Sequence, residues 1–342
     1  MTTKLRGAVI GYGGAFNMGK HHAQLMLQHG IDFAAACDLD PARAAQAKED
    51  FPGIEAYTDP ADLFAREDID LITVITPHNT HAELGRRALE AGKHVILEKP
   101  MCIHADDGAE LIRLARAKGR MLTVFHNRRW DGWYLTLKDL IAKGLLGDIF
   151  QMELTLGGFG RPRDWWRSDK KISGGALYDW GAHLIDYALG VVPGGIRSVR
   201  GVVQNLLWHE FTNEDHVESA IHMENGAVIR VQVSSLTHAA RPHVVVQGTK
   251  GGIVDQNMFD GELTLYTDLS GVRVETKVPA KKDEGWRFYE NVSAHLYRGD
   301  PLIVRPEEAL RNIAVIETTE RSAAEGRELP VPSEDLYRES LR

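Results

Sequence analysis

The chain has 342 residues, 43% apolar and 26% charged, a composition of ordinary globular proteins that excludes a disordered chain or a coiled coil. At ~150 residues per domain the length predicts two domains, large enough to bury a core without a disulfide or metal staple. Lys and Arg number 40 against 48 Asp and Glu, a net charge of −8, which argues against a nucleic-acid partner or an anionic membrane surface. Cys37 and Cys102 are the only cysteines, too few for a disulfide framework and in keeping with a reducing cytoplasm. The first apolar stretch is too short for a signal peptide, and no run approaches the ~18 apolar residues of a membrane helix.

The first third alternates short apolar runs with helix-patterned segments. Residues 5–10 read as a strand, followed by a glycine-rich turn and a helix over about 19–29. Residues 33–37 form a second apolar run, and Asp40-Pro41 opens the next helix as N-cap and first-turn proline. A third strand at 71–75 precedes a helix that starts with a Thr80–Glu83 capping box and stops at Gly92. Residues 94–97 give a fourth strand, 105–118 a helix and 121–125 a fifth strand. Apolar strands alternating with helices predict a doubly wound parallel sheet, an α/β domain of Rossmann type over 1–125.

Beyond this point the rhythm changes. A helix at about 131–143 leads into a strand at 149–156, and a helix follows at 177–189. Several short β runs lie between 196 and 278, with turn signals such as Glu224-Asn225-Gly226 and Lys250-Gly251-Gly252. Two helices, at about 286–298 and 306–325, close the chain. The expectation is an α+β second domain, 126–342, with a large open, mostly antiparallel sheet.

Between the first strand and first helix stands Gly11-Tyr12-Gly13-Gly14-Ala15-Phe16-Asn17-Met18-Gly19. Gly11 and Gly13 permit the tight turn and close backbone approach that a pyrophosphate needs, with the phosphate at the helix N-terminus. The third glycine comes late, at Gly19, so the loop is about three residues longer than G-x-G-x-x-G. Asp38 follows Gly19 by 19 residues and suits the acid that bonds an adenosine ribose hydroxyl; helix capping fits Asp40 better. An acid there repels a 2′-phosphate, so NAD is expected over NADP.

Three further segments stand where such a fold presents ligands. They are Thr76-Pro77-His78-Asn79-Thr80-His81, Glu98-Lys99-Pro100, and Gly174-Gly175-Ala176-Leu177-Tyr178-Asp179-Trp180-Gly181-Ala182-His183. Asp179 and His183, four apart, would share one helix face. The basic-aromatic stretch 161–171 reads either as a solvated loop or as a flap whose aromatics stack on a sugar and whose Arg167 binds cofactor or a substrate anion. The 15 histidines are scattered without ligand spacing, so no metal is expected.

Together with His126-Asn127-Arg128-Arg129-Trp130-Asp131, these segments resemble the Gfo/Idh/MocA family, the glucose–fructose oxidoreductase and inositol dehydrogenase group, over essentially the whole chain. The lengthened loop containing Phe16-Asn17-Met18 departs from the family pattern. The resemblance implies an NAD-dependent enzyme that takes a hydride from a secondary hydroxyl of a sugar, sugar derivative or cyclitol. An alternative is an enzyme that retains its NAD, an oxidoreductive glycosidase or epimerase working by transient oxidation, elimination or addition, and re-reduction. A non-catalytic NAD-bound sensor is a further alternative, against which Lys99, Asp179 and His183 speak.

The resemblance implies Lys99, Asp179 and His183 as catalytic residues. Around the cofactor it implies Gly11, Gly13, Gly14, Phe16, Asn17, Met18, Asp38, Thr76, Pro77, His78, Asn79, His81, Glu98, Lys99, Trp166 and Arg167. Around the substrate it implies Lys99, His126, Arg128, Arg163, Asp179, His183 and Tyr289. It also implies a homodimer or homotetramer. The chemistry agrees: histidine, with an ordinary pKa of ~6.5, suits proton transfer at neutral pH. A lysine can stabilise a developing alkoxide or relay the proton itself. The base is therefore either His183 or Lys99, and Asp179 accepts a substrate hydroxyl.

Overall fold

The computed structural model describes residues 4–14, 16–332 and 334–340; Ala15, in the glycine loop, lies outside the described residues. The first strands are β1 (Arg6–Ile10), β2 (Asp32–Cys37), a short β3 (Glu55–Tyr57), β4 (Leu71–Val74), β5 (His94–Leu97) and β6 (Leu122–Val124), and all but the half-exposed β3 are buried almost from end to end. They pair in parallel in the order β3-β2-β1-β4-β5-β6. A sheet without a solvent face needs no polar alternation, which is why its strands read as plain apolar runs. The strand order reverses between β1 and β4, where open α/β sheets hold their ligands.

The helices between these strands are α1 (Met18–Gln28), α2 (Pro41–Asp50), α3 (Pro60–Phe64), α4 (His81–Glu90) and α5 (Ala105–Lys118). Asp40 caps α2 as expected, its side chain accepting the Ala42 N–H at 2.9 Å. Gly119 ends α5 in the left-handed region, at φ 61°. The expected capping box at Thr80 does not form. The Thr80 hydroxyl donates to the Pro77 carbonyl at 2.7 Å and meets the Thr76 hydroxyl at 2.6 Å, so nearer polar groups take it from the helix amides. Neither β3 nor α3 was expected from the sequence.

The second part contains α6 (Gly132–Ala142), β7 (Ile149–Gly157), a single turn α7 (Lys170–Ser173), α8 (Ala182–Val191) and β8 (Ile196–Gln204). It continues through β9 (His216–Met223), β10 (Val228–Ser234), β11 (Val244–Gly248), β12 (Gly251–Asp255), β13 (Glu262–Leu269) and β14 (Val272–Pro279). These strands form an open sheet in the order β14-β13-β12-β11-β7-β10-β9-β8. Every pairing is antiparallel except β10 with β7. Burial along β9 alternates strictly, the mark of a sheet covered on one face. The closing helices are α9 (Arg287–Arg298), α10 (Pro306–Glu325) and α11 (Glu334–Ser340), the last unforeseen from the sequence.

The chain forms two compact units that are not consecutive in sequence. One comprises Met1–His126 and Trp286–Leu310; the other comprises Asn127–Gly285 and Arg311–Arg342. Helix α9 therefore belongs to the unit of the parallel sheet, although the sequence reading groups it with the second domain. Tyr289 and Phe288 of α9 are buried there, and the Phe288 ring packs edge-on against Phe125 at 4.9 Å.

Candidate active site

In the first unit the glycine loop is shaped by what would collide with it. Gly11 has φ +93°, and a Cβ there would lie 2.4 Å from the Ile75 carbonyl oxygen. A Cβ on Gly19 would lie 2.6 Å from the Tyr12 backbone, so Gly19 does the packing task of the third glycine despite its late position. Gly14 has φ +113° and open space on its Cβ side. Asn17 is left-handed at φ 50° and its side chain caps nothing, which leaves α1 without a side-chain N-cap. Phe16 is exposed. Small residues, a close-packed loop and an uncapped helix start together fit a dinucleotide pyrophosphate.

Asp38 ends β2 buried beside this loop. Its Oδ2 accepts the N–H groups of Tyr12 at 2.9 Å and Gly13 at 3.1 Å, and its Oδ1 accepts the Asp40 N–H at 3.0 Å. A carboxylate offers about four lone-pair sites, so capacity remains for a ribose hydroxyl. Arg43 lies against Gly13, its Cδ 2.2 Å from where a Cβ would stand, and pairs with Asp40 at 3.5 Å. Sequence reasoning missed Arg43; an arginine three residues after a helix cap carries no signal until the loop is folded onto it.

The segment after β4 is stitched rather than open. His81 is fully buried, with Nδ1 2.7 Å from the Pro100 carbonyl and Nε2 2.8 Å from the Thr76 carbonyl. Burial lowers its pKa against the pull of both carbonyls. Both ring nitrogens of His81 thus lie within hydrogen-bond distance of backbone carbonyls. His78 is likewise buried, its ring 5.9 Å from that of His81. Glu98 is held by neighbours too. Its Oε2 accepts the Lys99 N–H at 3.0 Å and its Oε1 meets His22 Nε2 at 3.2 Å. Burial pushes the Glu98 pKa up, but the hydrogen bond and charge of His22, with the charge and N–H of Lys99, outweigh it and hold the carboxyl below its ordinary value.

Tyr289 is enclosed as well. It is fully buried in the first unit, its hydroxyl 2.8 Å from His22 Nδ1 and 3.1 Å from Thr73 Oγ1. His126 is also buried in this unit, at the end of β6.

In the second unit, Gly174 (φ +89°) and Gly175 (φ +135°) make the turn before the Asp179 segment. A Cβ on Gly175 would lie 2.7 Å from Glu214 Oε1, the atom that accepts the Ala176 N–H at 3.0 Å. Lys170 joins Glu214 at 3.3 Å and Glu320 at 2.8 Å. Leu177–Gly181 then forms a π-helical turn that runs into α8. The expected continuous α-helix is thus widened by one residue at Asp179, a feature that recurs at functional sites. Asp179 Oδ1 lies 3.7 Å from Arg167 Nε, and the Arg167 guanidinium stacks over Trp165 at 4.8 Å and Trp166 at 4.7 Å.

His183 is 5% exposed, its ring 5.7 Å from Trp180. The Arg128 guanidinium lies 4.6 Å over Trp180 and pairs with Asp131 at 3.0 Å. Exposed Phe259, on the loop between β12 and β13, meets Trp180 edge-on at 5.7 Å. Trp180 and Phe259 were not expected at the site; a lone loop phenylalanine gives no pattern to read. Arg163 is exposed, its guanidinium 5.3 Å over Trp165. Among the described residues, no group of three His, Cys, Asp or Glu side chains could hold a metal ion, and no helix is long and apolar enough to cross a membrane.

Residues 5–126 match the family model GFO_IDH_MocA, described as an oxidoreductase family with an NAD-binding Rossmann fold, and residues 134–254 match the GFO/IDH/MocA C-terminal domain. The chain is 40% identical over 192 residues to the uncharacterized oxidoreductase YdgJ of Escherichia coli (strain K12), covering 55% of this chain and 54% of YdgJ. That match therefore spans about half of each protein. It is 29% identical over 310 residues to scyllo-inositol 2-dehydrogenase (NADP(+)) IolW of Bacillus subtilis (strain 168), covering 84% of this chain and 86% of IolW. A solved NAD-binding protein from Listeria innocua superposes with a TM-score of 0.85 at 27% identity, over 96% of this chain and 97% of that one. With both domain models matched in order on the parallel and antiparallel sheets described above, the chain belongs to the Gfo/Idh/MocA family of oxidoreductases, built on an NAD-binding Rossmann fold.

Proposed function

We propose that the protein oxidises a secondary hydroxyl of a sugar, sugar derivative or cyclitol. NAD, bound at the glycine loop, supplies the hydride acceptor. The observation that carries this reading is the turn bearing Lys99. It leaves β5 at the carboxyl end of the sheet, with the Lys99 N–H on Glu98 and the Pro100 carbonyl on His81. A side chain rooted on so rigid a turn is preorganised to hold a substrate oxygen and to stabilise its negative charge as the proton leaves. His183 takes that proton. Asp179, oriented by Arg167, accepts a second substrate hydroxyl. Trp166, stacked on Arg167, brings the aromatic-cation surface of the stretch 161–171 beside Asp179. The cyclitol in the name of IolW supports the substrate class.

Purified protein with NAD and a panel of sugars, polyols and glycosides tests this. NADH should accumulate with at least one neutral polyol or sugar. Lys99→Met should lower kcat by ~10²–10³-fold with near-native stability and NAD affinity. His183→Ala should cost about as much, and the double variant less than the product. A Lys99→Met protein that turns over normally would sink the assignment. Glycoside cleavage with catalytic NAD and no NADH would move it to the retained-cofactor alternative.

A further inference from the structure

Helix α1 carries the N-terminus that faces the glycine loop, and three residues past Gly19 it buries a histidine completely. The His22 ring is sealed by Phe125, with centroids 4.2 Å apart. Its Nε2 meets Glu98 Oε1 at 3.2 Å, and its Nδ1 meets the Tyr289 hydroxyl at 2.8 Å, which in turn meets Thr73 Oγ1 at 3.1 Å. An ionised carboxylate only accepts, so Nε2 carries the hydrogen and donates to Glu98. The other Glu98 oxygen accepts the backbone N–H of Lys99 at 3.0 Å. One buried chain of hydrogen bonds thus joins α1, β4, α9 and the turn after β5.

We propose that His22 is the positioning residue for Lys99: by clamping Glu98 it fixes the turn that roots the Lys99 side chain, and ties that turn to the cofactor helix. The proposal rests on the reading of Lys99 as the group that meets substrate. Removing the His22 donor leaves the Glu98 carboxylate short of a partner, and a buried carboxylate in that state reorients toward any donor it can reach. The Lys99 N–H then loses its fixed acceptor. The effect falls on the direction of Lys99, not on the pyrophosphate loop.

Two isosteric replacements separate this role from a structural one. His22→Gln keeps a donor at the Nε2 position, facing Glu98. His22→Asn keeps a polar group at the Nδ1 position, facing Tyr289, and abandons Glu98. His22→Asn should lower kcat at least about tenfold, since misplacements near 1 Å cost up to 10²-fold, with KM for NAD unchanged. His22→Gln should stay within about threefold of the parent in kcat. Equal kcat in the two variants, or a fall in NAD affinity alone, would overturn the proposal.

A readout independent of turnover uses the reductively ¹³C-methylated protein, with the Lys99 resonance assigned by its loss in Lys99→Met. That resonance should move or broaden in His22→Asn and not in His22→Gln; identical spectra would overturn the proposal. If His22→Asn does not fold, Glu98→Gln serves. Its amide oxygen can accept from His22 or from the Lys99 N–H but not from both with the geometry of a carboxylate, so the same resonance should shift, and an unchanged one would overturn the proposal. The outcome of Lys99→Met on kcat separately reports whether the reading of Lys99 itself stands.

Discussion

Asp38 carries two tasks with one carboxylate. Three of its bonds hold the loop and the start of α2, and the expected ribose contact is a fourth. Arg43 waits beside it against Gly13, where a 2′-phosphate would need a cation. The native protein should prefer NAD, because the Asp38 charge faces any added phosphate. Asp38→Ser should cost about 1–3 kcal/mol of stability through the orphaned loop amides, weaken NAD use, and raise NADP use through Arg43. Adding Arg43→Ala should cancel that gain. KM for both cofactors in the three proteins decides it; equal NADP use with and without Arg43 would remove Arg43 from the account.

At the scale of elements, the Gly174-Gly175 turn and the π turn after it set where Asp179 stands. Gly175→Ala forces a Cβ onto Glu214 Oε1 at a backbone angle that non-glycine residues avoid. It should lower stability by about 1–3 kcal/mol and cut kcat, while KM for NAD stays put because the glycine loop belongs to the other unit. Phe259→Ala should raise the substrate KM severalfold without changing the melting temperature, since Phe259 is 53% exposed and supports no core. These elements were legible in unequal measure. Gly11, Gly19 and the Asp40-Pro41 cap could be read because backbone sterics dictate them locally. The strand β3 is three residues long and half-exposed, so it leaves no periodicity. The Thr80 cap misled because the Pro77 carbonyl and the Thr76 hydroxyl, three and four residues upstream, compete for the same hydroxyl. Tyr289 was unreadable, its partners Thr73 and His22 lying 216 and 267 residues away.

Over the whole molecule, two buried groups, one in each unit, answer acid in opposite senses. In the first unit, burial lowers the pKa of His94 to about 4, the like charge of Arg120 adding to it, while its Nδ1 accepts the Met121 N–H at 2.9 Å. The unfolded chain takes up that proton near pH ~6.5, so this contribution is present above pH 6.5 and is lost as pH falls toward 4. In the second unit, burial raises Asp255 to about 6. The folded form then holds the proton more tightly than the unfolded one, so acid below pH 6 stabilises and neutral pH costs. Calorimetry between pH 7 and 4 should show His94→Gln flattening the acid loss, and Asp255→Asn raising the melting temperature at pH 7 by a few degrees. No change in either slope would discard the assignment.

The return of Trp286–Leu310 to the first unit also has a consequence in time. A ribosome finishes Met1–His126 and must add about 160 residues before Tyr289 and Phe288 exist. At bacterial to eukaryotic elongation speeds that interval is on the order of 10–30 s. Throughout it His22, Thr73 and Phe125 have no lid, and the nascent sheet shows an apolar flank to whatever chaperone is near. A fragment cut after His126 would keep that flank for good, so it should bind a hydrophobic dye and melt without cooperativity, and a synthetic peptide spanning 286–310 should abolish the dye binding and bring back a cooperative melt.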